Sequence, residues 1–202
     1  MKHGFVYVGG CLRKTIHEKA HGRVAYMGEQ LEEPKYELLS KYDGFELRRY
    51  APTIQARVKT DGVGRRQSIG GFRRIAGYIF GGNASQTSIA MTAPVETWNE
   101  AGSEWMAFTM PSAYSLETLP VPIDDGVFLY ECEGRDVAVL SFTGRFSPSK
   151  TEKMAGRLKT MVEQQGLSPT QEPILAVYDG PMTLPFKRRN EILLPVKSEI
   201  KV

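Results

Sequence analysis

A chain of 202 residues with 41% apolar and 24% charged side chains can bury one sizeable core and has the balance of a soluble globular protein. Its formal net charge of +3 is too mild to require nucleic acid or an anionic membrane as partner. Two distant cysteines, Cys11 and Cys132, exclude a zinc cluster or disulfide framework, and no apolar run approaches the roughly 20 residues that span a bilayer.

Residues 1–33 form a polar, basic stretch that holds all three histidines, His3, His17 and His21. On a helix, His17 and His21 would share a face, a spacing that can hold a metal. Gly22 follows at once and no acidic motif surrounds them, so the stretch reads as a flexible extension. Val8-Gly9-Gly10-Cys11 resembles a lipoprotein cleavage site, but the apolar run Phe5–Val8 falls short of the ~7–15 residues a signal peptide needs. The expectation is a cytoplasmic protein, with export as a lipoprotein through Cys11 as the alternative.

One domain is expected over residues 34–202. Tyr36–Ser40 and Phe45–Tyr50 read as strands joined by an Asp43-Gly44 turn, and Thr53–Lys59 as a third strand after Pro52. Asp61–Gly64 turns the chain into a helix whose apolar face carries Phe72, Ile75, Ala76 and Ile79 at i, i+3, i+4, i+7 spacing, stopped by Gly81-Gly82. Ile89–Val95 is predicted as a buried strand closing at Pro94, and Trp105–Met110 as its partner. Residues 112–126 are a connecting loop. Gly62-Val63-Gly64 lacks the third glycine of a dinucleotide fingerprint, and Gly81–Ser85 lacks the lysine of a phosphate loop.

The second half repeats the plan: strands at Val127–Cys132 and Asp136–Phe142, then a helix capped by Ser147 with Pro148 at its first position and ended by Gly166. Strands Ile174–Tyr178 and Glu191–Val196 follow, separated by the turn Asp179-Gly180-Pro181. The implied fold is α+β: two βαββ-type units forming a curved antiparallel sheet or distorted barrel, with two main helices packed on it.

Five segments carry a further resemblance: Glu46–Tyr50, Gly71–Asn83, Met91-Thr92-Ala93-Pro94-Val95, Tyr178–Pro181 and Arg188-Arg189-Asn190-Glu191-Ile192. In order and spacing the set resembles the SOUL haem-binding family, a bacterial-type member, over about Tyr36–Val196. That resemblance implies a fold similar to bacterial effector-binding domains. It also implies reversible binding of haem or another tetrapyrrole in a shallow groove beside the first helix and the last interstrand loop. Carried onto this chain, the groove falls at Phe72, Arg73, Ile75, Ala76, Tyr78 and Ile79 and at Met182, Leu184, Phe186, Lys187 and Arg188. The core contains no histidine, so Tyr78 or Met182 are the candidate iron ligands on chemistry alone.

Two other classes fit the residues. A general effector-binding or scavenging domain would take flat apolar ligands over a buried carboxylate, from Glu46, Glu96 or Glu191. A hydrolase would have to use acidic residues, since the core lacks a histidine base. A nucleic-acid role is not expected, because Arg65, Arg66, Arg73 and Arg74 lack interleaved exposed aromatics. A monomer is favoured.

Overall fold

The computed structural model describes residues 31–60 and 65–197, with side chains in the first helix from Ile69 onward. The histidine pair, Cys11 and the Asp61–Gly64 turn lie outside the described residues. The chain runs β1 (Tyr36–Tyr42), β2 (Phe45–Tyr50), β3 (Thr53–Thr60), α1 (Arg65–Ile79), β4 (Val95–Glu100) and β5 (Ser103–Thr109). It continues through β6 (Val127–Cys132), β7 (Arg135–Thr143), α2 (Pro148–Gln164), β8 (Ser168–Pro169), β9 (Ile174–Val177) and β10 (Arg189–Lys197). Ser147 caps α2, its hydroxyl accepting from the Lys150 N–H at 3.3 Å, and Gly166 takes a φ of +72° just beyond the helix.

Nine strands form one antiparallel sheet in the order β1-β2-β7-β10-β9-β4-β5-β3-β6, and β8 pairs with the far end of β10. Apart from β1, the order is the same read from either end. The pairing of β2 with β7 is mirrored by β6 with β3, β7·β10 by β3·β5, and β10·β9 by β5·β4. The central β4·β9 pair joins the halves. The duplication read from the pattern is therefore a two-fold arrangement of strands. The sheet is open, ending at β1 and β6, rather than closed as a barrel.

Strand alternation divides the side chains between two faces. One face carries both helices: Ile75, Tyr78 and Ile79 of α1 pack with Val58, Met106 and Phe108, and Leu158 and Val162 of α2 pack with Leu47, Leu140 and Ile192. Gly71 lets α1 lie close on β3, where an added Cβ would sit 2.7 Å from the Thr60 methyl. No helix among the described residues is long and apolar enough to cross a membrane.

The predicted strand at Ile89–Val95 is a loop, and β4 begins where that strand was expected to end. Pro94, joined to Ala93 by a cis peptide, stands just before β4, where its missing N–H breaks no ladder bond. The backbone ahead of it bonds elsewhere: the Ile89 N–H donates to Ile79 and the Ala93 N–H to Glu32. Asn83 organises the segment from a fully buried position. Its amide donates to the carbonyls of Tyr78 at 3.0 Å and Thr87 at 2.7 Å, and its side-chain oxygen accepts from the Thr87 N–H. A short 3-10 turn at Pro185–Lys187, absent from the sequence pattern, leads into β10.

Candidate functional site

At about 100° per residue, Ile69, Arg73, Ala76 and, just past the helix end, Phe80 fall on one stripe along the flank of α1, roughly a third of a turn from its core-facing side. Ile69 and Phe80 are large apolar groups left 44% and 55% exposed. Gly70 and Gly77 lie beside that stripe, and a Cβ built on either meets nothing within 4 Å. The helix thus presents a bare backbone notch next to apolar side chains. The loop Val121–Asp124 is strapped to the end of α1. Gly82 accepts from the Ile123 N–H, the Ala84 N–H donates to Val121, and Arg74 holds Asp124 through two hydrogen bonds. Those two bonds, with a third from the Gly126 N–H, lower the Asp124 carboxyl to about 2. Val121 and Ile123 remain well exposed.

The expected groove residues divide. Ile75, Tyr78 and Ile79 belong to the core beneath α1, because the helix stripe with the longest apolar side chains faces the sheet. Tyr78 donates its hydroxyl to the Pro120 carbonyl at 2.9 Å, and burial pushes its pKa up to about 12. A phenol so placed is committed and hard to ionise, which counts against it as an iron ligand. Phe72 is half-buried against Phe108, while Arg73 is exposed and makes no ion pair among the described residues. Met182, Leu184, Phe186 and Lys187 are all exposed, and Arg188 turns back onto the carbonyls of Thr183 and Pro181. The 3-10 turn carrying Phe186 and Lys187 packs on β7, whereas α1 packs on β3, β5 and β6 in the other half of the sheet. The two stretches therefore occupy different halves rather than forming two walls of one groove.

The face away from the helices holds a polar arrangement that was legible in the sequence only as three separate glutamates. Across four adjacent strands the register sets Ala107, Glu96, Ala176 and Glu191 in one row. Glu191 is buried and saturated: it takes the Tyr178 hydroxyl at 2.6 Å, the Ser141 hydroxyl at 3.1 Å and the Arg48 guanidinium at 3.2 Å. Arg48 also grips the half-buried Glu46 at 2.8 Å. Burial, then the Glu191 charge, raises the Tyr178 phenol above its ordinary range.

Glu96 is different. It is buried, and its one hydrogen bond among the described residues is from the Gln55 amide at 2.9 Å. Burial pushes its carboxyl up, against the weaker pull of the Arg135 and Arg57 charges and the Gln55 bond. A small, partly open space of about 20 Å³, room for one water, lies against it between Tyr50, Gln55, Cys132 and Arg135. Toward the open half of this face Arg57 lies over the rings of Trp98 and Tyr130, with Trp105 stacked beside Trp98. A separate open groove of about 810 Å³ runs past Tyr36, Tyr50, Arg135 and Lys197. Among the described residues no cluster of three or more His, Cys, Asp or Glu could hold a metal ion.

A family model described as SOUL heme-binding protein matches residues 31–195. Heme-binding protein 2 of Homo sapiens is 27% identical over 164 residues, covering 77% of this chain and 79% of the human protein. Its Mus musculus counterpart is 28% identical over 167 residues, covering 78% and 80%. Among solved structures, the EcmrR C-terminal domain superposes with a TM-score of 0.57 at 14% identity, covering 80% of this chain and 98% of that one. A Listeria innocua protein described as a hydrolase gives 0.53 at 15%, covering 79% and 94%. Likeness at such identities is one of fold alone.

Proposed function

The chain belongs to the SOUL heme-binding protein family, and from that premise we propose that it binds haem or a related tetrapyrrole reversibly on the outer flank of α1, as a carrier, buffer or sensor. The observation that carries this placement is the notch at Gly70 and Gly77, bordered by the exposed Ile69 and Phe80. A flat macrocycle needs a wide apolar contact and close approach, and glycine removes the side chain that would hold it away. Arg73 on the same stripe supplies a cation for a ring carboxylate. The described part of α1 offers the iron no side chain, since Tyr78 is turned into the core. The macrocycle is held through its face and edge.

Titration of the full chain with haem tests this through the Soret band. Wild-type protein should saturate with a shifted band at micromolar concentration. Gly77→Leu should weaken binding by about tenfold or more while raising helix stability by roughly 0.5–1 kcal/mol, since leucine is the better helix former. No shift with wild-type protein overturns the tetrapyrrole reading. Unchanged affinity in G77L moves the site off α1, to the groove past Tyr36 and Tyr50.

Glu96 favours a second reading, a binding site for other flat ligands on the face away from the helices. A buried carboxylate with a single hydrogen bond is costly to keep, and the neighbouring Trp98 and Trp105 offer a stacking surface. A planar cationic dye should quench those tryptophans in wild-type protein and bind more weakly to E96Q. Equal binding to both removes this reading.

A further inference from the structure

We propose that the loop end formed by residues 144–153 and 179–189 is a docking surface for an anionic lipid bilayer. Both loops leave the same end of the β7·β10 pair, where Thr143 lies opposite Arg189 and Gly144 donates to the Arg188 carbonyl. Four large apolar side chains project there: Met182 is 91% exposed, Phe186 69%, Leu184 54% and Phe146 47%.

The loop that carries three of them is ordered by its own bonds. The Thr183 N–H donates to Gly180, the Lys187 N–H to Leu184, and Arg188 clamps the Thr183 and Pro181 carbonyls. Its polar groups are spent inward and its apolar groups are held outward, the reverse of what solvent favours. A loop this constrained keeps its apolar side chains exposed at a steady cost unless something covers them.

Charge identifies the cover. At this end Arg145, Lys150, Lys153, Lys187, Arg188 and Arg189 stand against Glu152, Asp179 and the Glu33 that pairs with Arg189. That local excess matches the +3 of the whole chain, so this end is cationic although the protein is nearly balanced. Apolar side chains at a tip ringed by lysine and arginine match a bilayer: the tip enters the acyl boundary and the cations meet anionic headgroups. A protein partner would want shape-matched pockets for these side chains, whereas a bilayer accepts a convex tip. Docking there would also bring the protein to the phase in which flat apolar ligands accumulate, although the proposal does not rest on the tetrapyrrole site.

Flotation of the full chain with vesicles tests it, using phosphatidylcholine alone and a 7:3 mixture with phosphatidylserine, as a stated composition of about 30% anionic lipid. Wild-type protein should float with the mixed vesicles, much less with phosphatidylcholine, and less again in about 0.5 M salt. The triple variant M182S/L184S/F186S should lose about tenfold or more in partitioning. Its thermal unfolding should be unchanged, because these side chains are exposed. L184W should show a blue-shifted emission on the mixed vesicles. No flotation of wild-type protein overturns the proposal, as does flotation unaffected by the triple variant. A wild-type dimer in solution that the triple variant abolishes also overturns it, by assigning the tip to a second copy.

Discussion

Replacing Glu96 by glutamine should make the protein more stable at neutral pH. In the folded state this carboxylate has, among the described residues, one hydrogen bond, from Gln55, and no cation within salt-bridge distance; Arg135 and Arg57 act on it through their field. Its folded pKa stands above the ordinary 4.5 because burial disfavours the charge. The linkage sign follows: stability from this group is fully present below about pH 4.5 and is lost as pH rises through the raised folded value. Glutamine keeps the shape and an acceptor for the Gln55 amide but never ionises. Leaving a buried charge poorly paired costs roughly 1–3 kcal/mol, and E96Q should recover about that much at pH 7.5. Urea titrations of both proteins at pH 4.5 and 7.5 provide the assay, with m-values compared to guard against a change in the unfolded state. The E96Q midpoint should exceed wild type at pH 7.5 and converge with it at pH 4.5. A midpoint below wild type at pH 7.5, or a gap independent of pH, would refute the reasoning.

Glu191 should behave in the opposite way. E191A removes one of the two carboxylate partners of a buried Arg48 and strands the Tyr178 hydroxyl, for a loss of about 3 kcal/mol in the same urea assay. D124N should cost only about 0.5–1 kcal/mol at pH 7, because its bridge to Arg74 is more than a third exposed. That cost should shrink as pH falls from about 4 toward 2, since a lowered carboxyl loses its contribution as it protonates. G126A places a Cβ on top of an Arg74 nitrogen and displaces that arginine, so D124N/G126A should cost no more than the larger single change. G71A pushes α1 off the Thr60 and Val58 methyl groups, with a loss of about 1–3 kcal/mol in thermal unfolding.

The fold was legible because its signals are local. Asp43-Gly44, the Ser147-Pro148 cap and the alternation in Phe45–Tyr50 each depend on a few neighbouring residues, and each stands where the pattern put it. The stretch Ile89–Val95 was misread because apolar residues in a short run look alike in a strand and in a loop tucked under a helix. Its decisive signal was Asn83, six residues upstream, whose side chain bonds the loop backbone. At the α1 stripe, periodicity located the apolar side, and Ile75 and Ile79 repeat because they face the sheet; it was the family resemblance that carried them into a groove. The exposed stripe of Ile69, Arg73, Ala76 and Phe80 is weaker as a pattern, since its most telling feature is the side chains that Gly70 and Gly77 lack. Pairing Met182–Arg188 with α1 failed for another reason. Which half of the sheet a loop joins is set by strand order, and strand order has no local signature.

The two-fold sheet sharpens what the carboxylate row means. The symmetry that exchanges β4 with β9 and β5 with β10 exchanges Glu96 with Ala176 and Ala107 with Glu191. Each half therefore keeps one glutamate and one alanine, but on different strands, which leaves the two carboxylates about 10 Å apart, two strand spacings. Glutamate at all four places would put like charges on neighbouring strands, and alanine at all four would leave an apolar floor. The halves have also diverged in how they treat the charge. Glu191 is neutralised by Arg48 and saturated with donors, so it acts as a structural tie between β2, β7, β9 and β10. Glu96 has, among the described residues, only the Gln55 amide, and its field partners stay at a distance. Stability alone would replace Glu96 with glutamine and keep Glu191. If E96Q proves the more stable protein, Glu191 is the carboxylate that serves the fold, and Glu96, beside the tryptophan surface, is the one whose presence stability does not explain.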